Sequence, residues 1–159
     1  MLSNAPRAIF NYGLQMIEIK KTVIVPYTAE KMFKLVSNIE NYPKALPWCS
    51  KSKIKEQSGN EVIGAIYIEY LKIKTYFVTK NINTPFSKIE IQLVEGPFHN
   101  LYGYWNFIPL GETGCKIEFS LKYKFANVLL EKVIGPVFNY ISKNIIDCFI
   151  KEARESHNK

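Results

Sequence analysis

Residues 115–125 alternate without a break: Ile117, Phe119, Leu121, Tyr123 and Phe125 fall on one face, Lys116, Glu118, Ser120, Lys122 and Lys124 on the other. This is the pattern of a half-buried antiparallel strand. After Ala126 the period changes, and Leu130, Val133, Ile134, Val137, Ile141, Ile145, Cys148 and Phe149 recur near the helical repeat, predicting a long terminal helix. Gly135-Pro136 interrupts that pattern and predicts either a kink or a helix whose main body begins there. At the other end, residues 17–25 are β-branched and roughly alternating, with Lys21 on the apolar face and Pro26 as the stop. Thr28 then suits a helix cap, Glu30 its first turn, and Met32, Leu35, Val36 and Ile39 its buried face. A second short helix starts near Asn41, tolerates Pro43 and ends at Pro47.

Strand signals follow at 50–57, 61–71, 73–81, 88–94 and 101–110, most of them separated by turn residues at 58–60, 84–86, 95–97 and 111–114. Connections this short favour an antiparallel meander, since parallel pairing needs long crossovers. The predicted class is α+β: a curved antiparallel sheet of about six to seven strands wrapped around the C-terminal helix, with two short helices after strand one. The helix must bury its stripe on the sheet, and a curved sheet closed over a helix can leave an elongated cavity between them.

At 159 residues and 47% hydrophobic the chain makes one core. No apolar run approaches the roughly 20 residues of a membrane-spanning helix, which predicts a soluble domain whose membrane contact is peripheral. Cys49, Cys115 and Cys148 are an odd, widely spaced set and read as reduced thiols. His99 and His157 lack acid clusters at metal-ligand spacing, so no metal is expected. The net charge of +7 suits anionic headgroups or RNA phosphates, or serves solubility alone. It is carried almost wholly by lysine, whereas base-edge reading favours arginine, so DNA is not expected as a partner. Residues 1–15 precede Met16 and fit neither a signal peptide nor a transit segment. They are expected to be a disordered arm or an upstream start, followed by one domain at 16–155 and a tail at 156–159.

Several motifs, in order, resemble a known family: VPYTAEKMFKLV at 25–36, NYPKALPWC at 41–49, GPFHNL at 96–101, WNFIP at 105–109 and the CKIEF strand. Together they are similar to the START-like polyketide cyclase/dehydrase and lipid-transport superfamily. More closely, they resemble its coenzyme-Q-binding START proteins and the bacterial ribosome-association toxin family. The resemblance implies the helix-grip (Bet v 1-like) fold and two functions. One is non-catalytic binding of ubiquinone or another polyisoprenoid lipid between sheet and helix, in support of respiration, with no cofactor required beyond that ligand. The other is association with the large ribosomal subunit that blocks subunit joining. It implies a cytoplasmic bacterial protein, in peripheral contact with the inner membrane if the ligand is a quinone, rather than a mitochondrial one. ProTrpCys at 47–49 looks more like the quinone-binding branch.

An isoprenoid tail requires a long apolar groove, because each buried methylene is worth about 0.8 kcal/mol. Candidate lining residues are Leu46, Trp48, Phe77, Trp105, Phe107, Phe119, Leu121, Tyr123, Val137, Ile141, Ile145 and Phe149, though the same side chains also suit a core with no hole. Tyr42, Pro47 and Phe98 are candidates for the groove entrance or a membrane contact; Trp48 and Phe98 equally suit inward packing. An aldol-type cyclase would need an acid or base in the cavity, with Glu69, Glu95, Glu118, His99 and the tyrosines available. Glu118 falls on the wet face, no nucleophile elbow or phosphate loop appears, and no catalytic residue is assigned. A ribosome-binding surface would draw instead on Lys51, Lys53 and Lys55 along one strand, with Lys72 and Lys74 elsewhere. That ladder also suits an edge-strand guard or an anionic lipid contact.

Overall fold

The computed structural model describes residues 14–157. Most of the expected extension at 1–15, and the end of the expected tail, lie outside the described residues.

Seven strands form one antiparallel sheet: β1 (Ile17–Val25), β2 (Cys49–Ser58), β3 (Glu61–Tyr70), β4 (Ile73–Thr84), β5 (Lys88–Glu95), β6 (Phe98–Leu110) and β7 (Gly114–Phe125). Their spatial order is β1-β7-β6-β5-β4-β3-β2, so β2 to β7 are the predicted meander and β1 closes beside β7. The chain crosses from one sheet edge to the other through helix α1 (Ala29–Ser37), a 3₁₀ turn (Ile39–Asn41) and helix α2 (Tyr42–Ala45). Thr28 caps α1 as expected, its hydroxyl oxygen accepting from the Lys31 N–H at 3.1 Å. Helix α3 (Val128–His157) lies on the concave face and runs two residues past the expected domain end at 155.

Two sequence expectations about α3 change. The helix runs unbroken through Gly135-Pro136 and begins well before it, capped by Asn127, whose side chain accepts from the Leu130 N–H at 2.9 Å. Pro136 forfeits one backbone donor, and the packing of Ile134, Val137 and Phe138 on either side holds the helix together. Its buried face is Ile134, Val137, Phe138, Ile141, Ser142, Ile146, Phe149, Ala153 and Glu152, the last paired with Lys44, whereas Val133 is exposed. Val133 lies about 100° around the helix from Ile134, which turns it off the sheet.

The alternation of β7 translates directly into packing: Ile117, Phe119, Leu121, Tyr123 and Phe125 are all buried. Lys21, the polar residue on the inner face of β1, reaches Asp147 of α3 at 3.4 Å at the sheet edge. The β3–β4 hairpin turns through Leu71 (φ 48°) and Lys72 (φ 68°), a two-residue turn in the left-handed region without the usual glycine or asparagine. In β6, Gly103 is required by close approach, because a Cβ there would stand 2.3 Å from the Ser120 carbonyl oxygen of β7.

Candidate functional site

Between the concave face of the sheet, α3 and the α1–α2 crossover lies a cavity of about 90 Å³. Leu46, Trp48, Phe77, Trp105, Phe119, Leu121, Ile141 and Ile145, eight of the predicted lining residues, face it. So does Tyr42. The remaining four, Phe107, Tyr123, Val137 and Phe149, are buried beside the cavity as packing. Phe107 stacks on Trp105 and meets Phe33 edge-on, and Phe149 is wedged between Tyr42 and Trp105. These four belong to the core that shapes the hole.

One expectation for the entrance is corrected, and Trp48 takes the lining place expected of it. Phe98 is 6% exposed and packs against Phe77, Tyr123, Phe125 and Phe138, because the Gly96-Pro97 turn directs it inward as the first residue of β6. Trp48 is 3% exposed and forms part of the cavity wall, so its indole is not a membrane-facing group. Edge-on against Trp48 sits Tyr140, which stacks on Tyr70 with ring centroids 5.4 Å apart, carrying the aromatic wall outward to the half-exposed Tyr140. Pro47 is exposed at the surface next to them.

The sequence reading missed Ile39, Ile66, Ile68, Ile91, Leu101 and Phe138, and also three polar residues of the wall, Thr79, Asn81 and Ser142. Strand parity carried a usable signal for two of them, since Phe77, Thr79 and Asn81 occupy alternate positions of β4 and face the same way. The Thr79 hydroxyl donates to Asn81 Oδ1 at 3.0 Å, and the Ser142 hydroxyl donates to the Phe138 carbonyl at 2.8 Å. Tyr42 donates to the Val36 carbonyl at 2.5 Å, and burial raises its pKa above the ordinary tyrosine range. Just outside the wall, the Tyr123 hydroxyl is buried without a hydrogen-bond partner, and burial pushes its pKa up to about 12.

No carboxylate, imidazole or cationic side chain lines the cavity. Glu69 is exposed and pairs with Lys74 at 3.7 Å; Glu95 is exposed and accepts from the Tyr76 hydroxyl; His99 is exposed. Glu118, outward as expected, accepts from Asn106 Nδ2 at 3.4 Å. The four acid–base candidates therefore lie outside the cavity, which leaves Tyr42 as its one titratable wall residue. Burial also pushes the Cys49 thiol up to about 11 and the Cys115 and Cys148 thiols above their ordinary range.

The lysines divide. Lys51, Lys53 and Lys55 are exposed on β2, a sheet edge, and none has a carboxylate within ion-pair distance among the described residues. Lys55 sits in a bulge, where the register shifts between Ile54 and Glu56. Lys51 lies over the ring of Tyr67, which stacks on Tyr76 of β4. Lys72 and Lys74, expected elsewhere, belong to the β3–β4 hairpin, where Lys74 pairs with Glu69; Lys51, opposite Tyr67, lies toward that end of the sheet, whereas Lys53 and Lys55 run on toward the β2–β3 turn.

Among the described residues no helix is long and apolar enough to cross a membrane, and no group of three or more His, Cys, Asp or Glu is placed to hold a metal ion.

The family described as polyketide cyclase/dehydrase and lipid transport matches residues 25–150. The ribosome association toxin RatA of Escherichia coli K12 is 37% identical over 143 residues, covering 90% of both chains. The mitochondrial coenzyme Q-binding protein COQ10 homolog B of Xenopus laevis is 22% identical over 146 residues, covering 89% of this chain and 59% of that one. Among solved structures, the Zhui aromatase/cyclase from Streptomyces sp. R1128 superposes with a TM-score of 0.73 at 15% identity, covering 88% of this chain and 94% of that one. That likeness concerns the fold. With a helix-grip sheet around α3 and this match along most of its length, the chain belongs to the polyketide cyclase/dehydrase and lipid-transport family, and within it is similar to the RatA proteins.

Proposed function

We propose that the chain works by binding rather than catalysis, and that its partner is the large ribosomal subunit. Similarity to a ribosome association toxin over 90% of both lengths supports this and reverses the order of the two sequence-based expectations, since the quinone-binding relative stands at 22% identity. The observation that carries the reading is the unpaired lysine set on β2, free to meet phosphates rather than neighbouring carboxylates. The protein then acts in the cytoplasm by occupying a face that the subunits use to join. Sedimentation with isolated large subunits is the test. Wild type should co-sediment, progressively less as salt rises, and K51E/K53E/K55E should remain in the supernatant. Equal sedimentation of both proteins would overturn the role given to β2, and no sedimentation of wild type would overturn the reading itself.

A second reading is favoured by the cavity: it takes the ring of ubiquinone or a related isoprenoid quinone. The wall is apolar apart from a few neutral polar groups, and about 90 Å³ suits one substituted ring more than a long tail. The tail would then leave the cavity toward a membrane surface. Organic extraction of the protein purified from its own host, followed by mass spectrometry, should yield a quinone near one per chain. Empty protein that also takes up no added quinone would refute this reading and leave the ribosomal one untouched.

A further inference from the structure

We propose that Asn81 is the residue by which the cavity selects its ligand: its side-chain amide donates a hydrogen bond to one carbonyl or ether oxygen of an uncharged, ring-sized, otherwise apolar molecule. The inference rests on the quinone reading of the cavity and deepens it.

Asn81 is 7% exposed and lines the cavity. Its Oδ1 is occupied by the Thr79 hydroxyl at 3.0 Å, which orients the side chain and leaves the Nδ2 donors with no protein acceptor among the described residues. A ligand acceptor in this largely apolar wall would give the amide a hydrogen bond that no protein group supplies. The wall hydroxyls are already spent as donors, Tyr42 on the Val36 carbonyl and Ser142 on the Phe138 carbonyl. Beside the indole N–H groups of Trp48 and Trp105, the Asn81 amide is the side-chain donor left to bind a ligand in the wall, and the only one oriented by a second side chain there. With no cation lining the cavity, a carboxylate would lose its hydration and gain no counter-charge, so fatty acids and other anionic lipids are excluded. Thr79 is a positioning residue, acting by holding the amide in place.

The test compares matched probes on the intact protein by calorimetry: duroquinone, its hydrocarbon counterpart durene, and 4-methylbenzoate as the anion. Duroquinone has no free ring position, so it does not alkylate the thiols. Wild type should prefer duroquinone over durene by about threefold to tenfold, the usual range for one neutral hydrogen bond, and should bind the benzoate least. Asn81→Leu should abolish that preference by weakening duroquinone alone. Thr79→Val should reduce it and Thr79→Ser restore it. The bound quinone should show a lowered carbonyl stretching frequency in the infrared that Asn81→Leu removes. Thermal melts establish that each variant is folded, and Asn81→Ala replaces Asn81→Leu if the latter is not.

Equal binding of durene and duroquinone by wild type would overturn the role of Asn81 while leaving an apolar ligand site standing. Parallel weakening of both probes in Asn81→Leu would make the residue structural and also overturn it. Failure of wild type to bind any probe would overturn this inference together with the quinone reading.

Discussion

Replacing Ser142 by leucine tests the cavity with one side chain. Ser142 is 3% exposed, lines the cavity from α3, and spends its hydroxyl on the carbonyl of its own helix turn. Leucine adds two net heavy atoms, on the order of 20–30 Å³ at about 10–15 Å³ of cavity per water-sized group, against a cavity of about 90 Å³. Burying a leucine side chain is worth about 1.5–3 kcal/mol, and fixing it costs about 0.5–1 kcal/mol of rotamer entropy. The net is a stabilisation of about 1 kcal/mol or somewhat more, a rise in Tm of about 2–4 °C for a chain of this size. Urea unfolding should show a higher midpoint with an unchanged slope. Ribosome sedimentation should be untouched, while duroquinone binding should fall at least tenfold. A loss of about 1–3 kcal/mol would be the signature of overpacking and would refute the free space. Undiminished duroquinone binding would refute the cavity as its site.

Gly103→Ala should destabilise by about 2–3 kcal/mol in urea unfolding, because the new Cβ meets the backbone of β7 and no flexible side chain can yield; a change within 0.5 kcal/mol would contradict that close approach. Tyr123→Phe removes a buried hydroxyl with no partner and should raise stability by about 1 kcal/mol at pH 7. Tyr123 stays neutral in the folded chain up to about pH 12 but ionises near pH 10 when unfolded, so the folded state is favoured in full below pH 10 and progressively less as pH rises toward 12. Urea titrations at pH 9 and pH 11 should show that loss, smaller in Tyr123→Phe. A thiol reagent at pH 8 should modify Cys49 and Cys115 slowly in the native protein and all three cysteines rapidly in denaturant, since both are buried with raised thiol pKa values; rapid native modification would contradict their burial.

Much of this architecture is written in local pattern. The strict alternation of β7 and the cap at Thr28 are period and capping effects that act within a few residues, and the short turns from β2 onward dictate a meander. Four of the cavity-lining residues, Phe77, Trp105, Phe119 and Leu121, were legible for the same reason, since parity places a side chain on the inner face wherever the strand ends up, and Ile141 and Ile145 were legible from the helical period. The hairpin at Leu71 and Lys72 was less legible, because neither residue carries the glycine or asparagine signal of its turn. Gly135-Pro136 does not mark where the body of the helix begins, since packing on both sides carries the helix through the pair from Val128.

What the sequence by itself determined was the order of elements, the antiparallel sheet, the inward face of each strand and the family. What only the tertiary structure decided was which inward side chains touch one another and which border empty space. Phe107 and Tyr123 have the same parity as Trp105 and Leu121, yet only the latter pair reaches the cavity. Phe98 turns inward at the Gly96-Pro97 turn, and Thr79 holds the amide of Asn81 inside a largely apolar wall. The reason is that periodicity acts along one element, whereas a cavity is the space left when several elements of fixed curvature pack together, and no single stretch of chain encodes it.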